Sequence, residues 1–63
     1  MNLIRMEIIY LITYKDHNSI EGFIENREDF KKWLKQWNTR RKEEGNLIEF
    51  EQDFEITRIH KLI

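Results

Sequence analysis

The chain has no cysteine, no proline and only two glycines in 63 residues. Without cysteine there can be no disulfide staple and no thiolate zinc site. The two histidines, His17 and His60, could not form a structural zinc site without help from carboxylates. With only Gly22 and Gly45, far apart, there can be no glycine-rich phosphate loop. Ser19 is the only serine and has no catalytic partner at a recognisable spacing, so nucleophilic chemistry lacks its first member. Long apolar runs are missing as well. The longest, Ile8 to Ile12, falls far short of the roughly 18 residues a membrane span needs, and Arg5 and Glu7 interrupt any signal-like start. Lack of cysteine and of a targeting segment leads us to expect a cytoplasmic protein.

Charge is abundant but balanced. Charged residues make up 37% of the chain, yet the formal net charge is −1. No global field steers the chain toward nucleic acid or membrane, so electrostatic function must come from local segregation of charge. An aromatic content of 13% argues against disorder.

A length of 63 residues predicts a single domain over 1–63. Chains this short bury only about 60% of their unfolded surface and commonly need a staple. With disulfides and thiolate metal sites excluded, self-association is the staple left, and a homo-oligomer is expected.

The pattern reads ββαβ. From about Leu3 to Tyr14 the residues are β-branched or aromatic. Met6, Ile8, Tyr10, Ile12 and Tyr14 share one face, and Ile9 and Leu11 the other. A strand apolar on both sides belongs at the centre of its sheet. Lys15–Ser19 reads as a turn, best fitted by a three-residue loop, Asp16 to Asn18, with Asn18 left-handed. That register pairs Lys15 with Ser19, Leu11 with Phe23 and Tyr10 with Ile24, and puts Ile20, Gly22 and Ile24 on the side of Ile12. A two-residue turn would invert those faces.

Asn26 is a candidate helix cap, with Asp29 at the capping-box position. Phe30, Trp33, Leu34 and Trp37 then form a one-sided helical stripe, Arg40, Arg41 and Lys42 suit the C-terminal end of the dipole, and Gly45-Asn46 can stop the helix. Leu47 to Ile63 reads as strand, with a phase change after Ile56 that calls for a bulge near Thr57-Arg58 or a turn at Gln52-Asp53. The expected fold is α+β: an antiparallel sheet of order 2-1-3 with one amphipathic helix on one face.

Three surfaces are candidates for function. Ile9, Leu11 and Phe23 would cluster on the sheet face away from the helix, which one helix cannot cover. Either terminal residues fold over them or a second copy does, and the small core favours the second copy. Glu49, Glu51, Asp53 and Glu55 alternate along the third strand as a contact surface for a basic partner, or as a charged edge that resists aggregation. Lys31, Lys35 and Lys42 line one helix flank, which could track nucleic-acid phosphates or simply be a solvated face. His17 and His60 lack a second catalytic member. The sequence thus points to a non-enzymatic, self-associating interaction module that binds no cofactor. The alternative is a small nucleic-acid-binding protein, and an enzyme subunit completed by a partner is a more distant third.

Overall fold

A computed structural model describes residues 6–62. The elements are β1 (Met6–Tyr14), β2 (Ser19–Ile24), α1 (Asp29–Glu43), a single 3₁₀ turn (Glu51–Asp53) and β3 (Phe54–Leu62). The sheet order is β2-β1-β3 and both pairings are antiparallel, so the α+β, ββαβ reading holds with β1 in the centre. The expected extension of β1 back to Leu3, and of β3 to Ile63, lies outside the described residues.

The register of the hairpin divides at its middle. Tyr10 pairs with Ile24, Leu11 with Phe23 and Ile12 with Gly22, as the pattern predicts. Nearer the tip, Thr13 pairs with Ile20 and Tyr14 with Ser19. Two steps on β2 therefore match one on β1, and Glu21 is the extra residue of a bulge. The loop has four residues, Lys15 to Asn18, so Lys15 is not opposite Ser19. Asn18 takes the left-handed conformation as expected, with φ 51°. The bulge moves Ile20 off the Ile12 face onto the opposite one, where it is 65% exposed.

β3 begins at Phe54, later than expected. Its pairing with β1 runs unbroken from Phe54–Tyr14 to Leu62–Met6, so no bulge occurs at Thr57-Arg58. The change of phase needs none, because Ile56 faces the helix and Ile59, opposite Ile9, faces away. β2 accompanies β1 only over Tyr10–Tyr14, leaving Met6–Ile9 and Ile59–Leu62 as a two-stranded ribbon.

The helix forms for the reasons its stripe suggests, but it starts differently. It begins at Asp29, and no side chain caps it. The Asn26 and Arg27 carbonyls instead accept the Asp29 and Phe30 amides, each at 3.1 Å. Its C-terminus closes as a Schellman motif: Gly45, at φ 78°, donates to the Lys42 carbonyl at 3.0 Å, and Asn46 to that of Arg41 at 2.8 Å.

Ile12, Ile24, Phe30 and Phe54 are buried, and Ile12 completely. Tyr10, Tyr14, Trp33, Leu34, Trp37 and Ile56 pack around them. Phe54 is the hub: Trp33 and Trp37 meet it edge-on at 5.2 and 5.7 Å, Phe30 at 6.1 Å, and Tyr14 is tilted on it at 5.4 Å. The two tryptophans stack on each other at 5.3 Å and are half-buried. Trp33 lies over Gly22 so closely that a Cβ there would sit 2.8 Å from its Nε1. Gly22 is thus a space requirement of the helix–sheet contact.

Candidate interaction surfaces

The open face of the sheet follows from the register. Side chains alternate, so β1 presents Glu7, Ile9, Leu11 and Thr13 on the side away from α1. Phe23 and Ile20 stand beside Leu11 and Thr13 on β2; Ile59 and Thr57 stand beside Ile9 and Leu11 on β3. Ile9, Leu11 and Phe23 therefore share this face, joined by Ile59, which the sequence reading did not place here, and by Ile20, which it put on the Ile12 side. Only unbroken β3 pairing brings in Ile59, and only the bulge brings in Ile20. The five form a diagonal apolar band. Charge lies at its ends, with Glu7 opposite Lys61 at one and Glu55 at the other. No described element covers the band, and Phe23 is 65% exposed.

On the helix side, the chain after α1 is clamped. Asn38 Nδ2 donates to the Glu49 carbonyl at 2.9 Å and Asn38 Oδ1 accepts the Glu49 amide at 2.8 Å, a reciprocal pair that mimics a strand partner. Arg41 Nε donates to the Leu47 carbonyl at 2.6 Å, and its guanidinium meets Glu49 Oε1 at 3.1 Å. The Tyr14 hydroxyl donates to the same carboxylate oxygen at 3.0 Å. That hydrogen bond, then burial and the carboxylate's charge, raise the Tyr14 pKa above the usual 10.0. The ion pair and hydrogen bonds fasten Glu49 to Tyr14, Asn38 and Arg41. With Glu49 turned inward, Leu47, Ile48 and Phe50 are left on the surface.

The four acidic residues do not form a row. Glu49 points into the clamp. Asp53 Oδ2 turns back to accept the Phe50 amide at 2.8 Å, closing the 3₁₀ turn. Glu51 borders a cleft with Arg27, Lys31 and Phe30 on the helix side of the sheet, and Glu55, opposite Thr13, belongs to the open face. Alternation in sequence does not survive here because residues 51–53 are a turn and not strand.

Lys31, Lys35 and Lys42 are exposed, and among the described residues none of them is in an ion pair. Trp33 and Trp37 turn toward Phe54, so the flank has no tryptophan platform for base stacking. His17 is exposed on the hairpin tip, its ring 5.3 Å from that of Tyr14, and His60 is exposed on β3 opposite Ile8. No group of three or more His, Cys, Asp or Glu side chains among the described residues could hold a metal ion. No described helix is long and apolar enough to cross a membrane.

Fold and surfaces together define a small α+β protein: a three-stranded antiparallel sheet backed by one helix, with an apolar open face. The chain matches no family model, no curated protein and no solved structure.

Proposed function

We propose that this chain is a non-enzymatic interaction module that self-associates through the open face of its sheet and leaves its charged helix side free for a further partner. One observation carries the reading: Ile9, Leu11, Phe23, Ile59 and Ile20 lie together on a face that no described element covers. A second copy is the occupant the face suits. The band is apolar along its length, with Ile9 and Ile59 toward one end and Leu11, Phe23 and Ile20 toward the other. A twofold contact brings the same patch of both copies together, and an apolar band can meet its own rotated copy. Charge is confined to the ends, balanced between Glu7 and Lys61 at one and carried by Glu55 at the other, so the apolar middle can meet a second copy without like charges opposed there.

The size of the face sets the strength. Three strands about 4.8 Å apart and a few residues of length give a footprint of roughly 250 Å², well below the ~800 Å² per partner of a standard interface. A face this small is expected to hold only a weak, concentration-dependent dimer.

Sedimentation at about 50 µM and at about 1 µM tests this, with dimer expected at the higher concentration and a melting temperature that rises with concentration. Leu11→Glu places a charge at the centre of the band and should give a monomer. Since Leu11 also contributes to the fold, Phe23→Ser is the companion: its side chain is exposed, so circular dichroism should stay native while the dimer is lost. A wild-type monomer at about 50 µM, or a dimer indifferent to both substitutions, would overturn the proposal.

A further inference from the structure

The segment Leu47–Phe50 reverses the usual order of a surface strand: its carboxylate points in and its apolar side chains point out. Glu49 is fastened to Asn38, Arg41 and Tyr14, whereas Leu47 is 86% exposed, Phe50 58% and Ile48 40%. The clamp fixes the backbone on both sides of Ile48, through the Leu47 carbonyl and both backbone groups of Glu49. These apolar side chains are thus presented to water by a held backbone, an arrangement that costs stability unless something receives them.

The surroundings say what that is. Asn38, which holds the segment, has Lys35 and Lys42 as its neighbours three and four residues away on the helix surface, and Lys31 continues the same flank. The apolar ledge thus has Lys35 and Lys42 on its helix side, neither in an ion pair among the described residues, while Glu51 follows Phe50 and shares a cleft with Lys31. Shape narrows the choice further. Five clefts on the described surface are lined by residues other than Leu47, Ile48 and Phe50. A peptide docks best into a concave, preformed groove. A protruding ledge with a cationic border suits a fluid phase that deforms around it and carries negative charge at its surface.

We infer that the ledge Leu47, Ile48 and Phe50, with the flank Lys31, Lys35 and Lys42, is a contact site for an anionic lipid bilayer, entered superficially and without a spanning segment. The site lies on the helix side of the sheet, so it stands apart from self-association. The chain's near-zero net charge does not oppose it, because the relevant charge is local and attraction to anionic lipid fades within a Debye length.

Flotation with vesicles tests the inference, comparing pure phosphatidylcholine with phosphatidylcholine containing about 30% phosphatidylserine, in about 50 mM and about 150 mM salt. Wild-type protein should float with the anionic vesicles, less so at the higher salt, and not with the neutral ones. Lys35→Gln with Lys42→Gln should weaken binding about 25-fold, roughly fivefold for each lysine. Leu47→Ser with Phe50→Ser should abolish flotation, since charge alone gives only marginal attachment. All four side chains are exposed, so native circular dichroism is expected in both variants. Equal binding to neutral and anionic vesicles, no binding at about 50 mM salt, or binding indifferent to either pair of substitutions would overturn the site. So would salt-dependent retention on an oligonucleotide or an acidic peptide with the vesicles left unbound.

Discussion

Phe54→Ala is the substitution that should unfold this domain. Phe54 is buried at 5% exposure and is the one side chain that Tyr14, Phe30, Trp33 and Trp37 all touch. Truncating a buried phenylalanine costs about 3–5 kcal/mol, and each lost edge-to-face pair about 0.5–1.5 kcal/mol beyond the area term, so the upper end applies here. At roughly 0.05–0.15 kcal/mol per residue, a chain of this length has about 3–9 kcal/mol in total. Trp33→Ala and Trp37→Ala, for which the helical stripe alone predicts buried rings and a cost of about 3–5 kcal/mol, should be milder, because both rings are only half-buried. Urea unfolding followed by tryptophan fluorescence decides it, since Phe54→Ala keeps both reporters. Phe54→Leu, which conserves most of the volume, should lose less than about 1.5 kcal/mol plus the aromatic pairs. If Phe54→Ala shifts the midpoint no further than Trp37→Ala, the aromatic cluster is not organised around Phe54 and the packing argument fails.

Two further outcomes follow from the same geometry. Gly22→Ala should destabilise by about 1–3 kcal/mol, as overpacking does, because the added methyl meets the rigid Trp33 indole at 2.8 Å; a midpoint unchanged in urea would mean that the indole is free to move off Gly22. Tyr14 should govern part of the alkaline limit. Its native pKa is raised, so the folded state holds the phenolic proton more tightly than the unfolded chain does. The stabilisation is complete below the unfolded value of about 10 and is lost as pH climbs through the higher native value. Urea midpoints between pH 8 and about 11 should fall at the alkaline end in the wild type, and Tyr14→Phe should flatten that fall; equal slopes would refute the link to Glu49.

Some of this was legible in the residues because the responsible forces are local. Phe30, Trp33, Leu34 and Trp37 recur at helical spacing, and Gly45 ends the helix whatever the rest of the chain does. The two apolar faces of β1 place it at the centre of the sheet. Asn18 tolerates the left-handed region that the hairpin needs. Other features depend on partners distant in sequence. The bulge at Glu21 accompanies a four-residue turn and a Ser19–Glu21 hydrogen bond at 2.6 Å, and a one-residue difference in turn length was enough to send Ile20 to the other face. Glu49 looked like one member of an acidic row because its partners, Tyr14 and Arg41, lie 35 and 8 positions away. A signal was present all the same. Arg41 falls four residues after Trp37 and seven after Leu34, on the apolar stripe itself, where a half-buried guanidinium calls for a carboxylate.

The position of Arg41 connects the core to the surface. A cation on the inner side of a short helix must be neutralised, and Glu49 does this by turning inward. In an extended segment that turn rotates the alternate residues outward, so Ile48 and Phe50 are exposed as a geometric consequence of satisfying Arg41. The same alternation acts in the sheet: burying Ile12 completely against the helix commits Leu11 to the other face. Period-two geometry in a chain with one helix thus leaves the open face of the sheet, and Ile48 and Phe50 beside the inward-turned Glu49, without cover from any described element. The two proposed contacts, a second copy on the open face and a bilayer at the ledge, would each cover one of these surfaces.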